Sequence, residues 1–398
     1  MHGSRRRMHT QLTRLPSLRG RFLACTVDSL ARHIVGRWRT MASVIDPLFD
    51  ACASVDFEKV CHLAALLMDR DVVASWIKAR YPVAVVDELQ DCRGDRLGII
   101  QAIESCCHVI AAADDFQDLQ TQGPNPAVEW LHAGTGKKNL LSGNRRTKQQ
   151  ALLIAAGRLR SSQDCGDILK GMLMAALNKN AAAGHAARTL YWKKAKGAVI
   201  LTPTGPQKSK FARDVVARLS SSSIKPKGIT SEVGPFRVIW ECGVEEERVD
   251  LVSKLGDVTQ GCGLQQLRAT CSGDTGALGD LLHWAERKCR VKGQVQFSTS
   301  EIATGVDRIL NCRRAFLSTA SPGRILAMTI NQAKNREFEG VIILWPFEVG
   351  GTLESQRRRL YNALTRAQQW AVVIVQDEPK KDSRLSKPPF SKPQKSSS

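Results

Sequence analysis

The feature that most constrains the fold is a pair of short apolar runs, each closed by acids and a glutamine. Val83-Ala-Val-Val-Asp-Glu-Leu-Gln-Asp91 is the first, and Val109-Ile-Ala-Ala-Ala-Asp-Asp-Phe-Gln117 follows one short helix later. Continuous apolar runs of this length, bounded by polar residues, read as buried strands of an α/β sheet. An aspartate at the carboxyl end of a central strand is where such a sheet holds Mg²⁺ against a nucleoside triphosphate. Glu88 is then placed to orient an attacking water, and Gln117 to sense the terminal phosphate. The usual partner of these groups, a G-x-x-x-x-G-K-[ST] phosphate loop, does not occur in the chain. Gly134-Thr-Gly-Lys-Lys138 lacks the first glycine spacing and the hydroxyl after lysine.

A chain of 398 residues predicts two or three domains, and a formal net charge of +20 predicts a polyanionic partner, nucleic acid above all. Basic ends contribute: residues 1–40 carry nine Arg against one Asp, and residues 377–398 carry six Lys or Arg against three acids. Twelve cysteines are scattered without a C-x-x-C or a zinc-ligand spacing. Reduced, mostly buried thiols in a cytoplasmic protein are the expectation. No run of 18 apolar residues occurs, so no membrane partner is expected.

Along the chain, residues 1–22 read as a basic, disordered N-terminus. Helices are predicted over Thr26–Trp38, 57–79, Ile99–Ser105 and Lys148–Leu159, with strands at Val83–Val86 and Val109–Ala113. Gly123-Pro-Asn-Pro126 marks a loop. Residues 161–194 read as a connector. Ala198–Thr202 restarts a strand–helix pattern, and Ile325–Ile330, Val341–Trp345 and Ala371–Val375 are further strand-like runs, with a helix over Leu353–Gln369. Residues 245–320 are helical with Gly-rich breaks. From Asp377 onward Pro, Lys and Ser predict disorder.

Five segments in order carry a resemblance. They are the two acidic strand ends, Leu141-Ser-Gly-Asn-Arg-Arg-Thr147, Met328-Thr-Ile-Asn-Gln-Ala-Lys-Asn-Arg-Glu-Phe338, and Arg359-Leu-Tyr-Asn-Ala-Leu-Thr-Arg366. Together they resemble the UvrD/Rep family of superfamily 1 DNA helicases, over roughly residues 22–160 and 195–376. The resemblance implies an α/β fold of two RecA-like P-loop NTPase domains. The first, 23–160, is truncated at its N-terminus, and the second, 195–376, carries a small helical insertion at about 245–320.

The implied function is ATP-dependent DNA unwinding or translocation in repair or recombination, 3′ to 5′, with ATP and Mg²⁺ as cofactors. Single-stranded DNA, or DNA with a single-stranded tail, is the implied partner. Position by position, Asp87 resembles the Mg²⁺ ligand and Glu88 the general base. Gln117 resembles the glutamine that couples γ-phosphate to DNA, Arg146 an arginine on that phosphate, Glu337 the acid on the nucleotide ribose, and Arg366 the arginine finger. Thr26 and Ser29, in Cys25-Thr-Val-Asp-Ser-Leu-Ala31, and Thr329 resemble contacts to the DNA backbone. Asp28 and Asn331 stand where His is frequent, residues 120–122 lack a base-stacking aromatic, and Asn335-Arg336 replaces Gly-Leu. The family's phosphate loop lies upstream of the Thr26 segment, and 25 residues precede Thr26 here. The expectation is therefore a fragment whose phosphate loop comes from a further polypeptide. The alternative is a degenerate helicase-like protein that holds DNA or a partner without ATPase activity.

Overall fold

The computed structural model describes residues 2–18, 20–47, 56–119, 123–141, 147–163, 165–169, 171–194, 197–241, 244–274, 276–317, 324–377 and 383–390. The chain divides into two compact units. One joins Asp114–Glu241 to Ala320–Ser398, and the other joins His2–Ala113 to Cys242–Thr319. Strands in chain order are β1 (Val83–Val86), β2 (His108–Ala111), β3 (Leu173–Ala176), β4 (Ala198–Thr202), β5 (Val238–Trp240), β6 (Cys262–Gly263), β7 (Gln296–Phe297), β8 (Ile325–Thr329), β9 (Phe338–Trp345) and β10 (Ala367–Gln376).

The first unit is built on a six-stranded sheet in the order β3-β10-β9-β4-β8-β5, and every pairing in it is parallel. Parallel sheets need both faces covered, which is why the central strands are unbroken apolar runs. All five residues of β4 are buried, and Val341–Trp345 of β9 are fully so. One face takes the helices Lys179–Trp192 and Lys210–Ser221, whose Ala186, Ala187, Leu190, Val215 and Leu219 pack with Ile200, Ile342 and Ile374. The other takes Gln150–Arg160 and Leu353–Leu364 against Val199, Leu201, Val341, Ile343 and Val373. This is the expected α/β class, and it is compatible with a RecA-like fold. Gly340 on β9 has a local reason. A Cβ there would lie 2.0 Å from the indole of Trp370, its neighbour in register on β10.

Three stretches of this unit differ from expectation. The connector at 161–194 contains β3, an edge strand of the sheet, and the helix Lys179–Trp192. Asn178 starts that helix by accepting from Asn180 N–H at 3.0 Å and Ala181 N–H at 2.9 Å. Its buried stripe is mostly alanine, which is why its hydrophobic period is faint. Within the tail expected to be disordered, Phe390 is fully buried and meets the Trp345 ring edge-on at 5.7 Å. Burying a Phe side chain is worth about 1.5–3 kcal/mol, enough to dock a short segment. Asp377 helps by accepting from Ser383 Oγ at 2.7 Å and Arg384 N–H at 2.9 Å. The helix over 353–369 stops at Leu364, and β10 begins at Ala367.

In the second unit the helix Phe57–Met68 packs its Val60, Ala64 and Leu67 side against Val27–Arg37 and Asp95–Glu104. The helix expected over 57–79 breaks at Arg70, whose backbone is extended, and resumes as Asp71–Arg80. His2–Thr13 is helical where disorder was expected. β1 and β2 pair in parallel from Val83↔His108 to Val86↔Ala111. They are not buried on both faces as their apolar runs predict: Val83, Val85 and Ile110 are 52%, 59% and 62% exposed. Two strands form this sheet among the described residues, and Val83, Val85 and Ile110 alternate onto its exposed face. Residues 244–317 are helical as expected, around Leu251, Leu267, Leu281, Phe297, Ile302 and Val306. Gly261 and Gly293 mark breaks at positive φ.

Candidate nucleotide and nucleic-acid site residues

In the second unit β1 ends at Val86 and delivers Asp87 and Glu88. Glu88 sits at φ 56°, ψ 45°, in the left-handed region. A non-glycine residue there carries strain of about 1–3 kcal/mol and persists only where its surroundings hold it. Three bonds do so here. Asp87 Oδ1 accepts Glu88 N–H at 3.0 Å, Leu89 N–H donates to Ala112 O at 2.9 Å, and the Gln90 amide donates to Glu88 Oε2. Gln90 is fully buried. The polar strand end is thus a shaped turn, with Asp87 exposed and the Glu88 carboxylate held by a neighbour. Sequence reasoning assigned Gln90 no role. The signal was its place between two acids of the same motif.

Thr26 is 7% exposed, and its hydroxyl caps the helix Val27–Arg37 by accepting from Ser29 N–H at 3.1 Å. Ser29 is exposed on the first turn, with its hydroxyl 2.9 Å from that of Thr26. Asp28, where His is frequent in the family, accepts from Arg96 Nε at 2.7 Å, and Arg96 also pairs with Glu58. An acid at position 28 therefore closes a salt-bridge network between helices.

In the first unit the turn Asp114–Asp118 lies against the helix Leu353–Leu364. Asp114 caps the turn by accepting from Phe116 N–H at 3.2 Å, and its other oxygen accepts from Gln117 Nε2 at 2.8 Å. Gln117 Oε1 accepts from Arg366 Nη2 at 3.0 Å. Arg366 is only 1% exposed, and its Nε donates to Asn362 O at 3.1 Å. Two residues 249 positions apart are thus joined by a part-buried, charge-assisted bond.

Around them, Phe116 meets Tyr361 edge-on at 5.0 Å, and Arg160 pairs with Asp114 at 3.0 Å. Burial opposes the Arg160 charge, but Asp114 and Tyr361 more than offset it, so its proton is held more tightly than usual. Arg358 pairs with Asp115 at 3.3 Å and donates to Asp115 O at 2.6 Å. Asp114 caps the turn, and Asp115 ties it to Arg358. Arg358 and Tyr361 were missed as supports because their partners Asp115 and Asp114 lie more than 200 positions away, and Arg160 because Asp114 lies on a separate element.

Glu337 accepts from Gln368 Nε2 at 3.1 Å, and Thr147 Oγ1 donates to Gln368 O at 2.6 Å. Asn335 sits at φ 62°. Asparagine tolerates that region better than most side chains, so the turn keeps its left-handed residue where the family has Gly. Arg336 makes two bonds to Glu241, at 2.8 and 2.7 Å. Thr329, at the end of β8, bonds to Gln332 through both its N–H, at 2.7 Å, and its hydroxyl, at 3.0 Å. Gln332 in turn donates to Glu241 O at 3.1 Å. Arg146 lies outside the described residues. Gly134 ends a helix rather than following a strand, and Lys138 Nζ donates to His132 O, so Gly134–Lys138 has no phosphate-loop setting.

The stretch that holds Thr329, Glu337 and Arg366 carries a family match. Residues 324–374 match the UvrD-like helicase C-terminal domain. The match supports the UvrD/Rep resemblance and suggests a helicase-family protein. The UvrD-like segment runs from β8 through most of β10 and includes the helix that presents Tyr361 and leads to Arg366. No curated protein matches the chain. Among the described residues no helix is long and apolar enough to cross a membrane.

Proposed function

We propose that the chain is an ATP-dependent DNA helicase or translocase of the UvrD/Rep type, cytoplasmic, acting in DNA repair or recombination. The observation that carries the reading is the UvrD-like match at 324–374, because it contains both Glu337 and Arg366. The bond from Arg366 to Gln117 adds to it, since it ties an arginine finger to a phosphate-sensing glutamine. In this reading Arg366 stabilises charge developing on the phosphoryl oxygens, for which its planar fork is suited. Gln117 reports the state of that phosphate to the Asp114–Asp118 turn. Glu337 takes the ribose hydroxyls. Glu88, held by Gln90, accepts a proton from the attacking water.

Mg²⁺ would be held by Asp87, where it would neutralise phosphate charge. The chemistry fits. Mg²⁺ usually takes one or two carboxylates and completes its shell with water and phosphate. Asp87 is one exposed carboxylate, and no group of three or more His, Cys, Asp or Glu side chains converges on a metal position among the described residues. Ser29 and Thr329 contact DNA phosphates, with Thr26 holding the turn that carries Ser29. The net charge of +20 suits strand tracking.

Strand displacement tests the reading. The substrate is a duplex with a 3′ single-stranded tail, given ATP and Mg²⁺, and the chain carries a family phosphate-loop segment joined ahead of Arg21. Displacement from the 3′-tailed duplex, and not from a 5′-tailed one, is expected. Tight DNA binding without displacement or ATP turnover would instead favour a binding module.

A further inference from the structure

A cavity of about 640 Å³ opens on the second unit, and Ser29, His33, Arg37, Trp76, Arg80 and Tyr81 are among its lining residues. Two helices make it. Val27–Arg37 supplies Ser29, His33 and Arg37 at spacings of four, one turn apart on one face. Asp71–Arg80 supplies Trp76 and Arg80 at the same spacing, and Tyr81 follows as its cap. The Arg37 guanidinium lies 4.8 Å from the centre of the Trp76 ring, and the His33 ring is 5.7 Å from it. Tyr81 meets Trp76 edge-on at 6.4 Å.

The charge at this place is one-sided. Among the described residues no carboxylate lines the cavity. Near it, Arg96 pairs with Asp28 and Glu58, and Lys59 with Asp46; Arg37 and Arg80 are in none of the salt bridges found among the described residues. Both are exposed. Trp76 and Tyr81 are half-buried, so each is fixed in place while part of its ring stays accessible. A guanidinium over an indole is ordinary surface packing on its own. An open cavity beside it, with a second cation and a second ring, is what that packing does not explain.

We propose that this cavity seats one unit of a single-stranded nucleic acid, its base against Trp76 and Tyr81 and its flanking phosphates against Arg37 and Arg80. The volume lies within the range of small-molecule sites, roughly 300–1,000 Å³. Stacking rings combined with a positively charged track is the general chemistry of sequence-tolerant single-strand binding. An acidic peptide would use the two guanidinium groups but leave both rings idle. The inference rests on the nucleic-acid reading above and adds a base subsite to it. Its aromatic groups lie outside every motif that carries the family resemblance, and they supply what Gln120-Thr-Gln122 lacks.

The test uses the full chain and fluorescence anisotropy with two labelled strands of equal length, oligo-dT and an abasic strand with the same phosphates. Wild type is expected to bind oligo-dT the more tightly. Trp76→Ala should weaken oligo-dT binding about tenfold, within the range for one stacked base, and abolish the preference. Trp76→Phe should keep most of the preference. Arg80→Ala should weaken both strands alike and flatten the salt dependence. Equal affinity of wild type for the two strands overturns the proposal, as does a preference that survives Trp76→Ala. If Trp76→Ala fails to fold by circular dichroism, exposed Arg80 decides, and unchanged affinities in Arg80→Ala overturn it. Binding of neither strand by wild type overturns the nucleic-acid reading and this inference together, whereas oligo-dT binding insensitive to these variants overturns only the subsite.

Discussion

Breaking the Gln117–Arg366 bond is the perturbation whose size the structure best defines. Arg366 is almost wholly buried, and its Nη2 donates to Gln117 Oε1 at 3.0 Å and to Thr365 Oγ1 at 3.3 Å. Hydrogen bonds to charged groups contribute about 1.5–3 kcal/mol each to stability. Gln117→Ala removes that bond and the one from Nε2 to Asp114 at 2.8 Å. Its expected cost is therefore about 2–4 kcal/mol. Arg366→Ala removes the same bond together with the one to Asn362 O, for about 3–5 kcal/mol, as two bonds to a charged group at about 1.5–3 kcal/mol each. The shared bond is counted in both single variants, so the double variant should be less destabilised than their sum by about 1–2 kcal/mol. Urea denaturation of the full chain, followed by tryptophan fluorescence, measures the cycle. Additivity within about 0.3–0.5 kcal/mol is what separate, non-contacting sites show, and it would refute the coupling.

Two further outcomes concern the two units. Gly340→Val places a side chain where even a Cβ would lie 2.0 Å from the Trp370 ring, and overpacking in a close-packed layer costs about 1–3 kcal/mol or more; a thermal melt unchanged from wild type would show that the ring does not lie there. Burial pushes the Cys61 thiol up to about 12 from the ordinary 9.0 and that of Cys92 to about 11. The folded chain then holds these protons after the unfolded chain has released them, so their contribution is full below pH 9 and is lost as pH rises from there through about 11 and 12. Stability measured against pH should fall across that window, and Cys61→Ser should reduce the slope; a curve flat from pH 9 to 11 would count against it.

Local pattern made the centre of the six-stranded sheet legible. Ala198–Thr202 and Val341–Trp345 are unbroken apolar runs because parallel strands are covered on both faces. The same rule misled for β1 and β2. Their runs look equally buried, but burial also depends on how many strands surround them, which no local window holds. β3 and the alanine helix beside it were missed because Leu173-Met-Ala-Ala176 is short and alanine contributes little to a hydrophobic period. Phe390 was hidden in Pro, Lys and Ser, although one buried aromatic is enough to dock a tail. At the candidate site the residue types were readable from motifs, but their partners were not. Gln90 holding Glu88 is a neighbour's effect, and Arg366 reaching Gln117 is a long-range contact. The cavity at Trp76 left no sequence signal beyond Ser29, His33 and Arg37, and Trp76 and Arg80, at spacings of four.

The central proposal is that Glu88 and Arg366 each take part in nucleotide hydrolysis driven by DNA. Its most direct test is steady-state ATP turnover with and without single-stranded DNA. The chain is assayed alone, and again with a family phosphate-loop segment joined ahead of Arg21. The 398 residues contain no G-x-x-x-x-G-K-[ST], so turnover by the chain alone should be far below that of the joined form. In the joined form DNA should stimulate turnover, Glu88→Gln should abolish it, and Arg366→Ala should lower it about 10³-fold or more, the low end for an arginine finger. A joined chain that folds and binds DNA yet shows no turnover, or turnover indifferent to both substitutions, would contradict the account.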